Sequence, residues 1–292
     1  MQNYIESQAN KKFKAWQKLL RRKYREQQGE YLIEGGNLLE DALKSGIEIK
    51  ELILCHREDA NFDLTKYISQ KLIDDIVQRC VRIYFLKDVL FDRLQETENG
   101  RDVIAVVKMQ KSVSHKNSEF LDSNKIKAGN GEENRSNSIV VLDRLQDPGN
   151  IGTIIRTCDG AGFAAIAVLK GTADVYSAKV IRAAAGSLFR VPIIHIEDID
   201  SLTKLTKENG LSIVATGFDT ESYYFEEDLA DNIALVIGNE GGGISREIFD
   251  IADKIIKIPM CGDINSLNAA VSAGIIMYES LRQRKQAEKS VK

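Results

Sequence analysis

The sequence lacks the marks of several common protein classes. No apolar run approaches the roughly 20 residues that a membrane-spanning helix needs, and no signal-peptide core follows the first residues. The four cysteines, Cys55, Cys80, Cys158 and Cys261, are scattered, with no C-x-x-C pair and no neighbouring histidine cluster. The expectation is therefore a reducing, cytoplasmic setting with no structural zinc or other metal site. A G-x-S-x-G nucleophile elbow is absent, as is the Gly-Lys-Ser/Thr ending of a Walker loop. No internal repeat is present. Charge of one sign is also lacking, with a formal net charge of −3, so an argument for nucleic acid has to come from local charge distribution.

What is present reads as an ordinary globular chain. Its 292 residues are 43% hydrophobic and 28% charged, enough for more than one core. Residues 11–25 (KKFKAWQKLLRRKYR) carry eight basic side chains and no acidic one. Phe13, Trp16, Leu20 and Tyr24 recur there at helical spacing, which predicts a basic amphipathic helix. Two readings stay open, a solvated helix docked by its apolar stripe and an arm whose Lys and Arg meet phosphates. Glu6, ahead of it, is out of place in an organelle transit peptide.

Four segments are expected along the chain. Residues 1–28 form the basic arm and 29–109 a small α/β unit, in which EGGNLLEDALKSG is helical, ELILC a strand and VIAVVKM a continuous apolar strand. Residues 110–137, rich in Ser, Asn, Lys, Glu and Gly, read as a polar linker. From 138 to 292, short β-branched runs alternate with helical stretches, which predicts a mostly parallel sheet covered by helices. Ligands in such folds bind in loops beyond the carboxyl ends of strands.

Three loops in this last segment carry more than turn chemistry. In VLDRLQDPGNIGTIIRT (141–157), Asp147, Pro148, Gly149 and Asn150 suit a reversal into a helix capped by Asp147 or Asn150. Arg156 lies in an otherwise apolar helical stretch and needs solvent or an anion. In ALVIGNEGGGIS (234–245) the glycines permit close backbone approach, yet Glu240 sits among them, where a plain turn needs no charge. In KIIKIPMCGDINSLNAAVSAGI (254–275) a helix is entered through Ser266, Leu267 and Asn268, with Ser266 the expected cap, and small residues then dominate. The string GAGFAA (160–165) fits G-x-G-x-x-A, but its glycines follow a helix and precede a strand, the reverse of a dinucleotide fingerprint. His195, in VPIIHI, reads as a strand residue with a satisfied ring.

Taken in order, N-x-G-x-x-x-R-T (150–157), G-N-E-G-x-G-I-S (238–245) and I-P-M-x-G-x-x-x-S-L-N (258–268) resemble the three motifs of the SpoU (TrmH) family of RNA 2′-O-ribose methyltransferases. Residues 29–109 resemble that family's small substrate-binding domain. The resemblance implies an α/β fold with a C-terminal knotted (trefoil) parallel-sheet methyltransferase domain, a smaller N-terminal α/β domain, and a homodimer formed through the C-terminal domain. It implies S-adenosylmethionine as cofactor, gripped by the loops holding Thr216 and Gly217, Gly238 and Asn239, and Ile258, Met260 and Leu267. By matching position, Asn150, Arg156, Glu240, Ser266 and Asn268 are the implied catalytic set. Gly160 and Ala269 stand where alanine and valine are commoner. The implied substrate is structured RNA, ribosomal first and transfer RNA second. The competing class is a non-catalytic RNA-binding or ribosome-assembly factor.

Overall fold

The computed structural model describes residues 3–56, 65, 69–96, 103–110 and 136–290. Residues 111–135 of the expected linker lie outside the described residues. The chain divides into two compact units, residues 1–110 with 176–181, and residues 111–175 with 182–292.

The first unit is built on a mixed five-stranded sheet in the order β1-β4-β3-β5-β2. Its elements are β1 (Asn3–Ile5), α1 (Lys11–Leu19), α2 (Arg22–Gln28), β2 (Glu30–Glu34), α3 (Gly36–Lys44), β3 (Ile49–His56), α4 (Gln70–Gln78), β4 (Arg82–Lys87), α5 (Asp88–Phe91) and β5 (Val103–Lys108). β1, β4 and β3 run parallel, and β5 pairs antiparallel with both β3 and β2. Period-two alternation sends Tyr84 and Leu86 of β4 to the face that α1 covers.

The basic segment differs from the single helix expected over 11–25. It is two helices, because Leu20 and Arg21 close tight turns onto Gln17 and Lys18. The buried stripe is accordingly Phe13, Trp16 and Leu19, while Leu20 and Tyr24 are only half-buried. α2 ends at Gly29, which adopts the left-handed conformation at φ 64. The stripe packs in one core with Ile53, Tyr84, Leu86, Ile104 and Val106, so the described part of residues 1–28 is built into this unit. Glu51 of β3 is buried beneath α1 at 5% exposure. A carboxylate there needs partners, and the Trp16 indole donates to its Oε2 at 2.7 Å while Lys12 bonds Oε1. Lys11, Lys14, Lys18, Arg21, Arg22 and Lys23 remain exposed on the outer side.

The second unit carries a six-stranded, wholly parallel sheet in the order β11-β9-β10-β6-β7-β8. The elements from residue 139 on are, in chain order, β6 (Ile139–Leu142), α6 (Pro148–Ala161), β7 (Ala165–Leu169), α7 (Ala178–Ala184, of which residues 178–181 group with the first unit), β8 (Ile193–Ile196), α8 (Ile199–Glu208), β9 (Ser212–Thr216), β10 (Ile233–Ile237), α9 (Arg246–Phe249), β11 (Lys254–Ile256) and α10 (Ala269–Ser290). β6, β7 and β10 are buried at every residue, as strands covered on both faces must be. Leu202 and Leu205 of α8 and Ile248 of α9 pack on one face. α10 packs against α6, where Gly274 lies close to the Thr157 methyl. His195 is a β8 residue with an exposed side chain. GAGFAA begins in the last turn of α6 and runs into β7, so helix precedes strand, the order expected.

Strand order reverses between β6 and β10. From β6 the chain winds outward through β7 to β8, whereas β10, β9 and β11 occupy the other side. A crevice opens beyond the carboxyl ends of β6 and β10 at such a switch point, and the first two motif loops leave the sheet there.

Truncating Trp16 tests whether the N-terminal helix belongs to the core of its unit. Trp16→Ala is expected to lower stability by about 3–5 kcal/mol in denaturant unfolding, against a few tenths for a peripheral arm.

Candidate active site

The first motif loop is set by α6. Asp147 caps the helix, its Oδ1 accepting from the Asn150 N–H at 2.8 Å, and Pro148 stands in the first turn, where its missing N–H costs nothing. Of the two candidate caps, Asp147 does the capping, and Asn150 is free to point elsewhere. Its Nδ2 donates to Glu240 Oε1 at 3.0 Å, and its Oδ1 accepts from Asn268 Nδ2 at 2.8 Å. Asn150 is itself buried. One amide thus joins all three motifs.

Glu240 also accepts from the backbone N–H groups of Gln146 (3.1 Å) and Asp147 (3.2 Å). Partial desolvation alone would push its carboxyl up. The bonds from the Asn150 amide, its own backbone and the N–H groups of Gln146 and Asp147 outweigh that, and hold it below the usual carboxylate range. The acid in the glycine run is therefore a clasp between the β6 and β10 loops.

The glycine loop is a built turn. Asn239 and Gly243 exchange backbone hydrogen bonds at 3.0 and 2.9 Å, and Asn239 Oδ1 accepts from the N–H groups of Gly241 and Gly242, both at 2.9 Å. Asn239 Nδ2 reaches back to the Arg144 carbonyl at 2.8 Å. Gly238 has to be bare, because a Cβ there would stand 2.4 Å from both the Gly243 carbonyl carbon and the Ile244 nitrogen.

In the third loop Asn268, rather than the expected Ser266, caps α10. Its Oδ1 accepts from Ala270 N at 2.9 Å and Val271 N at 3.3 Å. Ser266 stands two residues further out, exposed, and bonds to nothing among the described residues. The cap falls on Asn268 because an oxygen at the residue before the helix reaches the N–H groups of its first turn.

These loops enclose a cleft of about 470 Å³. Thr216 and Gly217 line it from the end of β9, Gly238 and Asn239 from the end of β10, and Ile258, Met260 and Leu267 from the third loop. Glu240, Ser266 and Asn268 border the same space, while Ile237, Ile244 and Ile256 give it an apolar floor. Asn150 touches it through Glu240 and Asn268. Arg156 stands apart, exposed on α6 and outside the lining. It is one helical turn before Gly160, where a Cβ would come within 3.2 Å of the Tyr278 hydroxyl of α10. Val271 and Tyr278 of α10 are 50% and 52% exposed.

Sequence reasoning overlooked Phe218 and Lys257, which also line the cleft, and the Asp143–Ser245 bond of 2.6 Å that ties the β6 and β10 loops a second time. An acid directly after the apolar run IVVL was the available signal. Among the described residues no group of three or more His, Cys, Asp or Glu is placed to hold a metal ion, and no helix is long and apolar enough to cross a membrane.

An all-parallel α/β unit with a ligand-sized cleft clasped at its switch point and a smaller mixed α/β unit define a two-part α/β protein. Residues 137–278 match the SpoU rRNA Methylase family, and residues 10–105 match the MRM3-like substrate binding domain. The chain is 31% identical to the Bacillus subtilis 23S rRNA (guanosine(2553)-2′-O)-methyltransferase RlmP, covering 94% of this chain and 97% of that one. Among solved structures it resembles the AdoMet-bound rRNA methyltransferase of Sinorhizobium meliloti (TM-score 0.78, 26% identity, 96% and 97% of the two chains). It also resembles the SpoU methyltransferase AviRb of Streptomyces viridochromogenes in complex with AdoMet (TM-score 0.76, 30% identity, 94% and 98% covered). The chain belongs to the SpoU rRNA methylase family.

Two outcomes follow from the geometry. Gly238→Ala, which drives a methyl group into the Gly243–Ile244 backbone, is expected to weaken S-adenosylmethionine binding at least about tenfold by calorimetry, since 1.4 kcal/mol of distortion suffices. Glu240 stabilises the fold as a carboxylate, and a lowered folded pKa gives stability that is present above the unfolded value of about 4.3 and lost as pH falls through the folded one. The melting temperature of Glu240→Gln should lie below that of the parent at pH 7, with the gap closing under acid conditions. A gap independent of pH would refute this role.

Proposed function

We propose that the chain transfers the methyl group of S-adenosylmethionine to a ribose 2′-hydroxyl of ribosomal RNA, and that the first unit, with the exposed cations of α1 and α2, binds that RNA in the cytoplasm. The observation that carries the reading is the Glu240–Asn150–Asn268 hydrogen-bond relay at the rim of the cleft. The B. subtilis relative acts on 23S rRNA at a 2′-oxygen, and both structural relatives hold AdoMet, which supports the same chemistry here.

The cleft fits such a cofactor. Its volume of about 470 Å³ is that of a small-molecule site. Ile237, Ile256 and Ile258 offer apolar surface to an adenine ring, the bare Gly238 lets a ligand approach the backbone, and the ionised Glu240 suits a cationic sulfonium. When bound, S-adenosylmethionine supplies an electrophilic methyl group. The residues of this chain then have to place a ribose oxygen in line with it and dispose of a proton, and positioning can supply much of the acceleration.

Asn150 has both ends of its amide committed, so its role is to hold the three loops in register. Asn268 fixes the start of α10 with its oxygen and Asn150 with its nitrogen. Ser266, whose hydroxyl is open to the cleft, is the group free to meet the ribose. Arg156 stabilises the developing alkoxide and holds the adjacent phosphate. A guanidinium keeps its proton in proteins, so the hydroxyl proton passes to phosphate or water.

The exposure of Arg156 on α6, and of Tyr278 and Val271 on the α10 helix packed against it, supports a homodimer in which α6 and α10 meet a second copy and Arg156 completes the partner's cleft. The strand order also supports a trefoil knot. β11 lies at the sheet edge outside β9, yet α10 packs on α6, so the third loop returns across the ends of β9 and β10.

Purified protein, tritiated cofactor and 23S rRNA test the reaction, with the label expected in an alkali-resistant linkage. Label in a base instead overturns the ribose assignment. Arg156→Ala and Asn268→Ala, each inactive alone, should regain turnover when unfolded together and refolded as mixed dimers. No regain would place Arg156 in its own chain's site, and near-normal turnover of Arg156→Ala and Arg156→Lys would remove it from the mechanism.

A further inference from the structure

Arg144, the second residue after β6, has a left-handed backbone at φ 58. A branching side chain is disfavoured there, and glycine or asparagine is the usual occupant. Neighbouring groups hold the residue in place. Its N–H donates to Thr172 Oγ1 at 3.1 Å, and its carbonyl accepts from Asn239 Nδ2 at 2.8 Å and Gln146 Nε2 at 3.2 Å. Thr172 in turn donates to the Leu142 carbonyl at 3.1 Å.

The side chain is aimed as firmly as the backbone. Its stem lies across Gly171, where a Cβ would stand 3.2 Å from Arg144 Cγ. Nε donates to Asp143 Oδ1 at 2.9 Å, Nη2 contacts Asp143 Oδ2 at 3.4 Å, and Nη2 also reaches the Gly243 carbonyl at 3.4 Å. Asp143 is a buried anchor, its side chain 3% exposed and its Oδ2 already bonded to Ser245 N. Nη1, with two N–H groups, has no hydrogen-bond partner among the described residues, the Arg144 side chain is 44% exposed, and the exposed Glu247 carboxylate adds a lesser attraction to the same guanidinium.

Neutralising Asp143 accounts for one edge of this guanidinium but not for the other. The open Nη1 sits at the switch point, on the loop that Glu240 clasps, and its two N–H groups can donate to phosphate oxygens. Lys170, exposed next to Gly171, adds a second cation at the adjoining end of β7, which pairs in register with β6.

We infer that Arg144, with Lys170 beside it, forms a phosphate-binding site for the RNA strand that carries the target ribose. The strained backbone, the bare glycine and the buried carboxylate exist to present Nη1 outward. This rests on the methyltransferase reading above.

The test measures binding of transcribed 23S rRNA to full-length protein across a sodium chloride series. Parallel calorimetry with S-adenosylmethionine and thermal unfolding serve as controls. Arg144→Gly suits the left-handed backbone and removes only the side chain, whereas Arg144→Lys keeps a charge without the paired donors. Arg144→Gly should weaken RNA binding about tenfold, the range of a lost charge-assisted hydrogen bond, and reduce the slope of log affinity against log salt by about one. Arg144→Lys should keep the slope with intermediate affinity, and cofactor affinity should not change in either. Wild-type affinity and slope in Arg144→Gly overturn the proposal. So does an unchanged slope accompanied by lower cofactor affinity or melting temperature, because Arg144 would then serve Asp143 alone. If the parent protein neither binds nor methylates the transcript, the functional reading falls, and this site falls with it.

Discussion

The second unit depends on one buried amide. Asn150 gives its nitrogen to Glu240 and its oxygen to Asn268, and so joins all three motif loops by hydrogen bonds. Each loop is anchored to a different strand or helix, so without this junction the cleft would have three independent walls. The bonds are individually modest, about 0.5–1.5 kcal/mol for a neutral pair and more with an ionised partner. Their value lies in being mutually exclusive of alternatives. An amide with both ends committed cannot rotate without leaving a buried polar atom unpaired.

Glu240 adds directionality to that junction. It gathers N–H groups from two consecutive residues of the first loop as well as the Asn150 amide, and so stays ionised against the partial desolvation of its carboxyl. A neutral acid would return one of those bonds and loosen the seam between β6 and β10. The Asp143–Ser245 bond closes the same seam from the other side. A site with two such clasps can hold a small ligand against the backbone without a lid, and the third loop, leaving edge strand β11, lines the cleft before α10 packs on α6.

Much of this was legible in the residues. β-branched runs without polar interruption gave a buried parallel sheet, and Asp-Pro-Gly-Asn gave a capped helix start. Glu240 stood out because a turn needs no carboxylate. The misreadings have identifiable causes. The basic helix broke at Leu20 because the buried face follows Leu19, and a stripe drawn through Leu20 was equally consistent with spacing. Ser266 lost the cap to Asn268 because both are good caps and the choice depends on where the first helical turn closes. Arg144 drew no attention, since a left-handed φ leaves no trace in sequence when the residue is not glycine.

Local pattern was enough for most of the elements and for the motif chemistry, because hydrophobic period, caps and turn residues act over a few neighbouring positions. Only tertiary structure decided which side chains meet. The junction spans 118 residues from Asn150 to Asn268 and 90 from Asn150 to Glu240, and no local pattern encodes contacts at that separation. Strand order placed β10 beside β6 and created the crevice in which Asn150, Glu240 and Asn268 converge. The same packing left Arg156 facing outward, so a residue that sequence grouped with the others stands, in the folded chain, outside its own cleft.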